Sequence, residues 1–235
     1  MSIINMKKEH KRILTYYESR KQNPENLKYS YFDVGNLYII QSRERKFLKI
    51  LNSFNFKDLS KTTILDVGCG SGNILCDLLR YGAKPRNLFG VDLLAERIKK
   101  AKEILAASHF EVGDATDIPF QGNYFDIVMQ NTVFTSILDR EVKTKIAKEM
   151  LRVLRSEGCI VWYDMFITNP FDENIKAIRK KEIKALFPGC IVDFHSVILN
   201  PFISRRLAKI STLACIFLEK FKVLNSHYFA IIRKK

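Results

Sequence analysis

Three aspartates stand where apolar runs stop. Asp66 lies in Ile64-Leu65-Asp66-Val67, Asp92 closes Gly90-Val91-Asp92, and Asp114 follows Val112-Gly113. The first run leads at once into Gly68-Cys69-Gly70-Ser71-Gly72, a GxGxG turn, and then into the helical pattern that starts at Asn73. Strand, glycine turn and helix start together make a seat where a nucleotide-like ligand meets exposed backbone N–H groups. Glycine's tolerance of positive φ lets that ligand approach the main chain closely. An acid two residues before the first glycine narrows the choice: it repels a pyrophosphate but holds a cationic group, directly or through water. Asp92, 24 residues beyond Gly68, is spaced to accept both ribose hydroxyls at the tip of a second strand. Asp114 is placed to accept from an adenine amino group while the Ala115 N–H meets a ring nitrogen. Any one of these acids alone also fits a turn or a helix cap. Three in order on the carboxyl edge of one sheet point to a positively charged nucleoside.

The elements that must position them follow from periodicity. Short apolar runs predict strands at Thr63–Val67, Asn87–Asp92, His109–Val112, Phe125–Gln130 and Cys159–Phe166. Amphipathic stretches predict helices at Asn73–Tyr81, Ala95–Ala106 and Glu141–Leu154. This alternation predicts an α/β fold, a parallel sheet with helices on both faces. The last third predicts a helix at Asn174–Leu186, a strand at Ile191–Leu199, a helix at Ile203–Phe221 and a strand at Tyr228–Ile232. One of these two strands is expected to be antiparallel at the sheet edge. Residues 1–60 read as helical, interrupted at Asn23-Pro24, and are rich in tyrosine. A cap of amphipathic helices over a pocket accounts for that, as does simple packing with the hydroxyls at the rim.

The chain has 235 residues, 47% of them apolar, enough for one domain with a sizeable core. We expect a single unit over 1–235, divided into a cap (1–60), a ligand-binding core (61–165) and terminal sheet elements with substrate-side helices (166–235). No uncharged apolar run is long enough to span a bilayer, and the first residues lack the apolar core of a signal peptide. Five scattered cysteines show no metal-ligand spacing and fit reduced thiols in a cytoplasmic protein; no metal is expected. The net charge of +14 is unevenly placed: residues 1–60 carry +6, residues 61–164 are neutral and residues 165–235 carry +8. Basic flanks of this kind suit an acidic substrate, an anionic membrane surface or nucleic acid, or simply form a solvated face.

As a set, these motifs resemble the class I S-adenosylmethionine-dependent methyltransferases. ILDVGCGSG looks like their first motif, VDLL their ribose-binding acid, GDATDIPF their adenine-binding turn, FDIVMQNTVF their fourth-strand motif and LRVLRSEGCIVWYD their fifth-strand segment. The resemblance implies a Rossmann-like, doubly wound, mostly parallel sheet of seven strands in the order 3-2-1-4-5-7-6, with S-adenosylmethionine as cofactor and S-adenosylhomocysteine as product. Carried over, Asp66, Gly68, Cys69 and Gly70 line the methionine part, Asp92 and Leu93 bracket the ribose, Asp114 and Ala115 meet the adenine, and Gln130 closes the site from the fourth strand. The flanking Trp162-Tyr163-Asp164, Asn169-Pro170, Leu186-Phe187-Pro188-Gly189, Leu199-Asn200-Pro201 and His227-Tyr228 are similar to bacterial small-molecule methyltransferases of polysaccharide or natural-product pathways.

The expected activity is methyl transfer to a small-molecule acceptor, a hydroxyl oxygen of a glycan precursor, lipid-linked sugar or secondary metabolite. Many such enzymes carry a histidine after the fourth strand. Here the stretch is Asn131-Thr132-Val133-Phe134-Thr135-Ser136, so a histidine base at that place is not expected. Asp164 and Tyr17 are the catalytic candidates, Asp164 with loop capping as the competing role. His10, His109, His195 and His227 read as structural or surface residues. Tyr16, Tyr17, Tyr31, Arg43 and Arg205 are candidates to line the acceptor pocket, where an arginine suits a phosphate or carboxylate. No Asn-Pro-Pro-Tyr tetrad follows the fourth strand and no RNA-binding motif appears, so nucleic acid is not the favoured partner. The alternatives are an RNA or protein methyltransferase using the basic flanks, and a non-catalytic nucleoside-binding relative of the fold. The stretch from Arg205 to Phe221 mixes basic and apolar residues as a membrane-surface helix does. Packing of Leu207, Ile210, Leu213, Ala214, Phe217, Leu218 and Phe221 on the sheet is the preferred reading.

Overall fold

Runs such as Ile64–Val67 and Leu88–Asp92 are apolar on both faces, the pattern of strands covered by helices above and below. In the computed structural model, which describes residues 3–21, 30–168 and 172–235, every residue of these two strands is buried. The elements are α1 (Ile3–Lys21), α2 (Val34–Ser53), β1 (Ile64–Val67), α3 (Asn73–Arg80), β2 (Leu88–Asp92), α4 (Ala95–Ile104), β3 (His109–Val112) and β4 (Phe125–Asn131). They continue with α5 (Arg140–Val153), β5 (Leu154–Met165), α6 (Lys180–Leu186), β6 (Ile191–Leu199), α7 (Pro201–Leu207), α8 (Thr212–Glu219) and β7 (Asn225–Arg233). The sheet has seven strands in the order β3-β2-β1-β4-β5-β7-β6. β7 runs against the common direction of the other six strands. This is the expected order. The breaks expected at Asn23-Pro24 and the Asn169-Pro170 pair lie outside the described residues.

Register decides which side chains share a face. Asp66 pairs with Met129 and Gly90, and Asn131 pairs with Tyr163, so Asp66, Asp92, Asn131 and Tyr163 all project to one side. That side carries the core under α2, α3 and α4, with Phe47, Leu75, Ile98, Met129 and Phe229. The opposite side packs Val67, Val128, Trp162 and Ile160 under α5 and α6. Gly90 sits where no side chain fits: a Cβ there would lie 2.7 Å from Cys69 Sγ and 2.8 Å from the Phe110 ring. Gly90→Ala is therefore expected to destabilise the protein by about 1–3 kcal/mol through overpacking, read as a lower urea midpoint with an unchanged slope.

Two helical expectations need correction. The helix predicted over Asn174–Leu186 is reduced to Lys180–Leu186. Residues 174–178 instead run past the loop after β4, with the Lys176 N–H donating to Thr135 O at 2.8 Å. The single helix predicted over Ile203–Phe221 is two helices. Asn200 Oδ1 accepts from the Phe202 N–H and caps α7, and Ser211 Oγ accepts from the Ala214 N–H and caps α8. The expected packing of that stretch also fails at Ile210, Leu213, Phe217 and Phe221, which are exposed; Ser204, Ala208, Cys215 and Glu219 are the residues buried.

What turns α8 this way is a polar anchor. Glu219 is buried beneath the helix, where its Oε2 accepts from Tyr38 Oη and Ser42 Oγ of α2, both at 2.6 Å, with Lys46 Nζ 3.6 Å from Oε1. Because β6 and β5 are both antiparallel to β7, they run the same way. The α7–α8 connection from β6 to β7 therefore stands at the carboxyl edge of the sheet, the edge at which β1, β2, β4 and β5 also end.

Candidate active site

The cleft begins at the glycine turn. Gly68 has φ +73°, and a Cβ on it would meet Val133 Cγ2 at 2.4 Å, so the turn and the loop after β4 approach one another only because this residue is glycine. The turn is tied to β2: the Gly68 N–H donates to Val91 O at 2.8 Å, and the Gly70 N–H to Asp92 Oδ2 at 2.9 Å. The other oxygen of Asp92 accepts from the Leu94 N–H at 2.9 Å. Asp92 thus holds the first turn and the start of the second on one carboxylate. Leu93, between them, is half-buried.

Asp66 is buried at the end of β1, and among the described residues its Oδ1 has no hydrogen-bond partner. Asn131, on the same face at the end of β4, approaches it, yet Asn131 Nδ2 is also buried and unpartnered. Burial pushes the Asp66 carboxyl up to about 8; the Asn131 amide opposes that rise, the Asp92 charge adds to it, and the Arg43 cation opposes it. Arg43, from α2, lies 6.0 Å over the Tyr163 ring. It borders, with Asn131, Asp77, Met129 and Phe229, a cavity between α2, α3 and the strand ends. Asp66 Oδ1 and Asn131 Nδ2 approach each other without closing a well-formed hydrogen bond; with a guanidinium near, they could hold the two charged groups of an amino acid, the ammonium at Asp66 and the carboxylate at Asn131 and Arg43.

Gln130 does not open toward this space. It is fully buried on the opposite face, its Nε2 donating to Tyr163 O at 3.2 Å and its Oε1 accepting from the Val133 N–H at 2.9 Å. Its work is to shape the loop after β4, and the neighbouring Asn131 is the residue that faces Asp66. Asp164 acts similarly. Buried at the end of β5, it accepts from the Thr135 N–H at 3.2 Å and from the Met165 N–H at 3.1 Å, which is the loop-capping role. Burial lifts its carboxyl to about 7, against those hydrogen bonds and the more distant Lys143 cation.

The N-terminal helix lies over the carboxyl edge. Asp114, which accepts from the Thr116 N–H at 2.8 Å and from Thr116 Oγ1 at 2.6 Å, also lies 3.3 Å from His10 Nε2 of α1. Ala115 beside it is half-buried against the α5 side of the core. Tyr17 shares a 3.1 Å hydrogen bond with Ser136 Oγ, and Arg97 of α4 lies 4.4 Å over its ring. Arg12 donates to Glu9, to Ser136 O and to Asn174 Oδ1, and Glu9 Oε1 accepts from the Leu138 N–H at 2.6 Å. Tyr16 Oη donates to Asp172 Oδ2 at 2.6 Å. One helix therefore bridges α4 and the loops after β3, β4 and β5. Of the residues expected to line the acceptor pocket, Tyr17 and Arg43 stand at this cleft and Tyr16 is buried behind it. Tyr31 and Arg205 lie at the junction of α2 and α7, where the Arg205 backbone packs on Gly35.

His227 is stacked on Tyr163 with ring centroids 5.0 Å apart, and Ser226 Oγ is 2.7 Å from its Nδ1. Burial lowers its pKa to about 4, and the Arg43 cation adds to that effect, so the ring is neutral. His109 stacks on Phe89 and His195 is half-buried on β6.

A seven-stranded sheet with one reversed strand, a glycine turn after β1 and acids at three successive strand ends define a class I methyltransferase fold. Residues 65–162, which span this core, match the family model described as "Methyltransferase domain". Norajmaline N-methyltransferase of Rauvolfia serpentina is 28% identical over 148 residues, covering 59% of this chain and 49% of that protein. 2-Methyl-6-phytyl-1,4-hydroquinone methyltransferase of Synechocystis sp. (strain ATCC 27184 / PCC 6803 / Kazusa) is 34% identical over 107 residues, covering 44% of this chain and 32% of that protein. The matches thus span half or less of these curated relatives. In fold, the chain is similar to geranyl diphosphate C-methyltransferase from Streptomyces coelicolor A3(2), solved with Mg2+, geranyl diphosphate and S-adenosyl-L-homocysteine. The TM-score is 0.58 at 14% identity, over 80% of this chain and 76% of that one. Among the described residues no helix is long and apolar enough to cross a membrane, and no cluster of potential metal ligands occurs.

Proposed function

We propose that the protein is an S-adenosylmethionine-dependent methyltransferase acting on a small-molecule acceptor. The observation that carries this reading is the unpartnered pair of Asp66 Oδ1 and Asn131 Nδ2 beside the glycine turn. Relatives named for methylating norajmaline and 2-methyl-6-phytyl-1,4-hydroquinone support the small-molecule class. When bound, the cofactor supplies an electrophilic sulfonium methyl group. The chain's part is then to hold and to enclose. Asp66 takes the ammonium, Asn131 and Arg43 the carboxylate, Asp92 and Leu93 the ribose, and Asp114 with Ala115 the adenine. Gly68, Cys69 and Gly70 let the backbone come close. Asp164 and Gln130 act as positioning residues that fix the loop after β4, and α1 keeps water from the cleft.

For the acceptor, a hydroxyl oxygen on a glycan precursor, lipid-linked sugar or secondary metabolite remains our reading, with Tyr17 at its mouth. The new O–CH3 bond forms as the S–CH3 bond breaks to leave S-adenosylhomocysteine, and the hydroxyl proton passes to solvent or to a nearby acceptor such as Tyr17, so transfer rests on alignment with the electrophile together with that proton's removal. The five unpaired cysteines fit a reducing, cytoplasmic setting. Isothermal titration with S-adenosylhomocysteine and S-adenosylmethionine tests the cofactor; absence of heat with both rejects the proposal. Methyl-labelled cofactor added with a cell extract tests the acceptor. Label in the small-molecule or lipid fraction is expected. Label in RNA or protein would assign the basic flanks to a macromolecular substrate instead.

A further inference from the structure

α8 is turned inside out for a surface helix. Its inward side carries Glu219 and Cys215, while its outward side presents Leu213, Ile216 and Phe217. Leu213 is 78% exposed and Phe217 58% exposed, and Phe217 continues onto Phe221, with ring centroids 5.4 Å apart. The turn from α7 adds Ile210 at 84%, and the turn into β7 adds Val223 at 87%. The segment entering α2 joins the same surface: Asp33 pairs with Lys209 at 3.5 Å, and the adjoining Phe32 is 97% exposed. Single exposed apolar side chains are ordinary, but this many on adjoining elements is a contiguous face.

Apart from Asp33, which pairs with Lys209, the charges around that face are basic. From Pro201 to Val223 there are five Lys/Arg (Arg205, Arg206, Lys209, Lys220, Lys222) and one acid, Glu219, which is buried. Arg206, Lys209, Lys220 and Lys222 are exposed, so they rim the apolar side chains. Leu and Phe on the outer face with Lys and Arg at the rim is the composition that seats in the headgroup–acyl boundary of an anionic membrane. A second copy of the chain would set the same cations against each other, which disfavours self-association through this face. The face stands at the carboxyl edge, beside α2, whose Arg43 borders the cleft.

We infer that the α7–α8 face, extended by Phe32, docks on an anionic lipid bilayer. The inference concerns binding alone and does not depend on methyl transfer. The test is flotation of the full chain with vesicles of phosphatidylcholine, with and without phosphatidylglycerol, at low and raised salt. The protein is expected to float with the anionic vesicles, to stay behind with the neutral ones, and to be released by salt. Leu213→Glu/Phe217→Glu removes two anchors and adds two repelled charges, so it should weaken binding about 100-fold or more. Lys220→Glu/Lys222→Glu should weaken it roughly tenfold or more. All four positions are exposed, and unchanged circular dichroism and S-adenosylhomocysteine binding confirm that these variants fold. Parent protein left in the soluble fraction with anionic vesicles at low salt overturns the inference. So does binding that survives Leu213→Glu/Phe217→Glu, or equal binding to neutral vesicles. A dimer that Phe217→Glu dissociates, with no vesicle binding, would assign the face to a second copy.

Discussion

Asp66→Asn should fold as the parent does and lose cofactor affinity by at least ~30-fold, because a buried charged partner contributes about 2–5 kcal/mol to a complex. Asparagine keeps the shape and the neutrality that Asp66 has in the free protein below its pKa of about 8. What it cannot do is become an anion when a cation arrives. In the parent, binding a cation at neutral pH draws the proton off Asp66. Affinity should therefore rise with pH between about 6 and 8, by up to about tenfold per unit, and level beyond. In Asp66→Asn that rise is absent. Titration calorimetry at pH 7 in buffers of different ionisation enthalpy would register the released proton directly. Stability moves in the opposite sense. Between about pH 4 and 8 the unfolded chain has released this proton while the folded chain retains it, so the parent loses stability as pH rises through that window. Asp66→Asn should lose less, as thermal unfolding across the window will show.

Asp92→Ala is the second large effect, and it should strike stability and binding together. The Gly70 and Leu94 N–H groups both donate to this carboxylate. Removing it leaves two donors in a buried place, at about 1–3 kcal/mol each. The proposed ribose acceptor goes with it. We expect a lowered melting temperature and S-adenosylhomocysteine binding reduced beyond ~100-fold, on the same footing of a lost charged contact. Asp92→Asn separates the roles: one amide oxygen can still serve one of the two N–H groups, so it should recover part of the stability and little of the affinity. If Asp92→Ala binds as tightly as the parent, the ribose does not lie there.

Much of this was legible in the chain before its fold was known. The His109–Val112 and Ile191–Leu199 strands form with the bounds that their apolar patterns predict, because a run closed by polar or glycine residues has little freedom in where it starts and stops. The three strand-end acids do gather at one edge, since parallel strands place their carboxyl ends together. Gln130 and Asn131 were not separable in this way. They are adjacent, both are amides, and they point to opposite faces. The choice depends on the pairing of Met129 with Asp66, a property of two strands and not of one. The stretch from Ile203 to Phe221 misleads for a related reason. Its apolar spacing is that of a buried helix, but Ser211 restarts the helix and Glu219 determines which side faces inward, through partners on a distant helix. The reach of α1 over α4 and the loops after β3, β4 and β5 likewise depends on tertiary contacts of Glu9, His10, Arg12 and Tyr17 that leave no periodic signal.

The anchoring of α8 through Glu219 has a consequence for the cost of association. Many amphipathic segments are unfolded in water and become helical only at a surface, so part of their contact energy is consumed in ordering backbone and side chains. Here the helix is already formed. It also cannot roll Phe217 inward without taking a carboxylate away from the hydroxyls of Tyr38 and Ser42. Whatever meets this face meets one conformation, with its entropy already spent in folding. Contact should therefore leave the helical content of the protein unchanged, and its strength should follow the composition of the opposing surface alone.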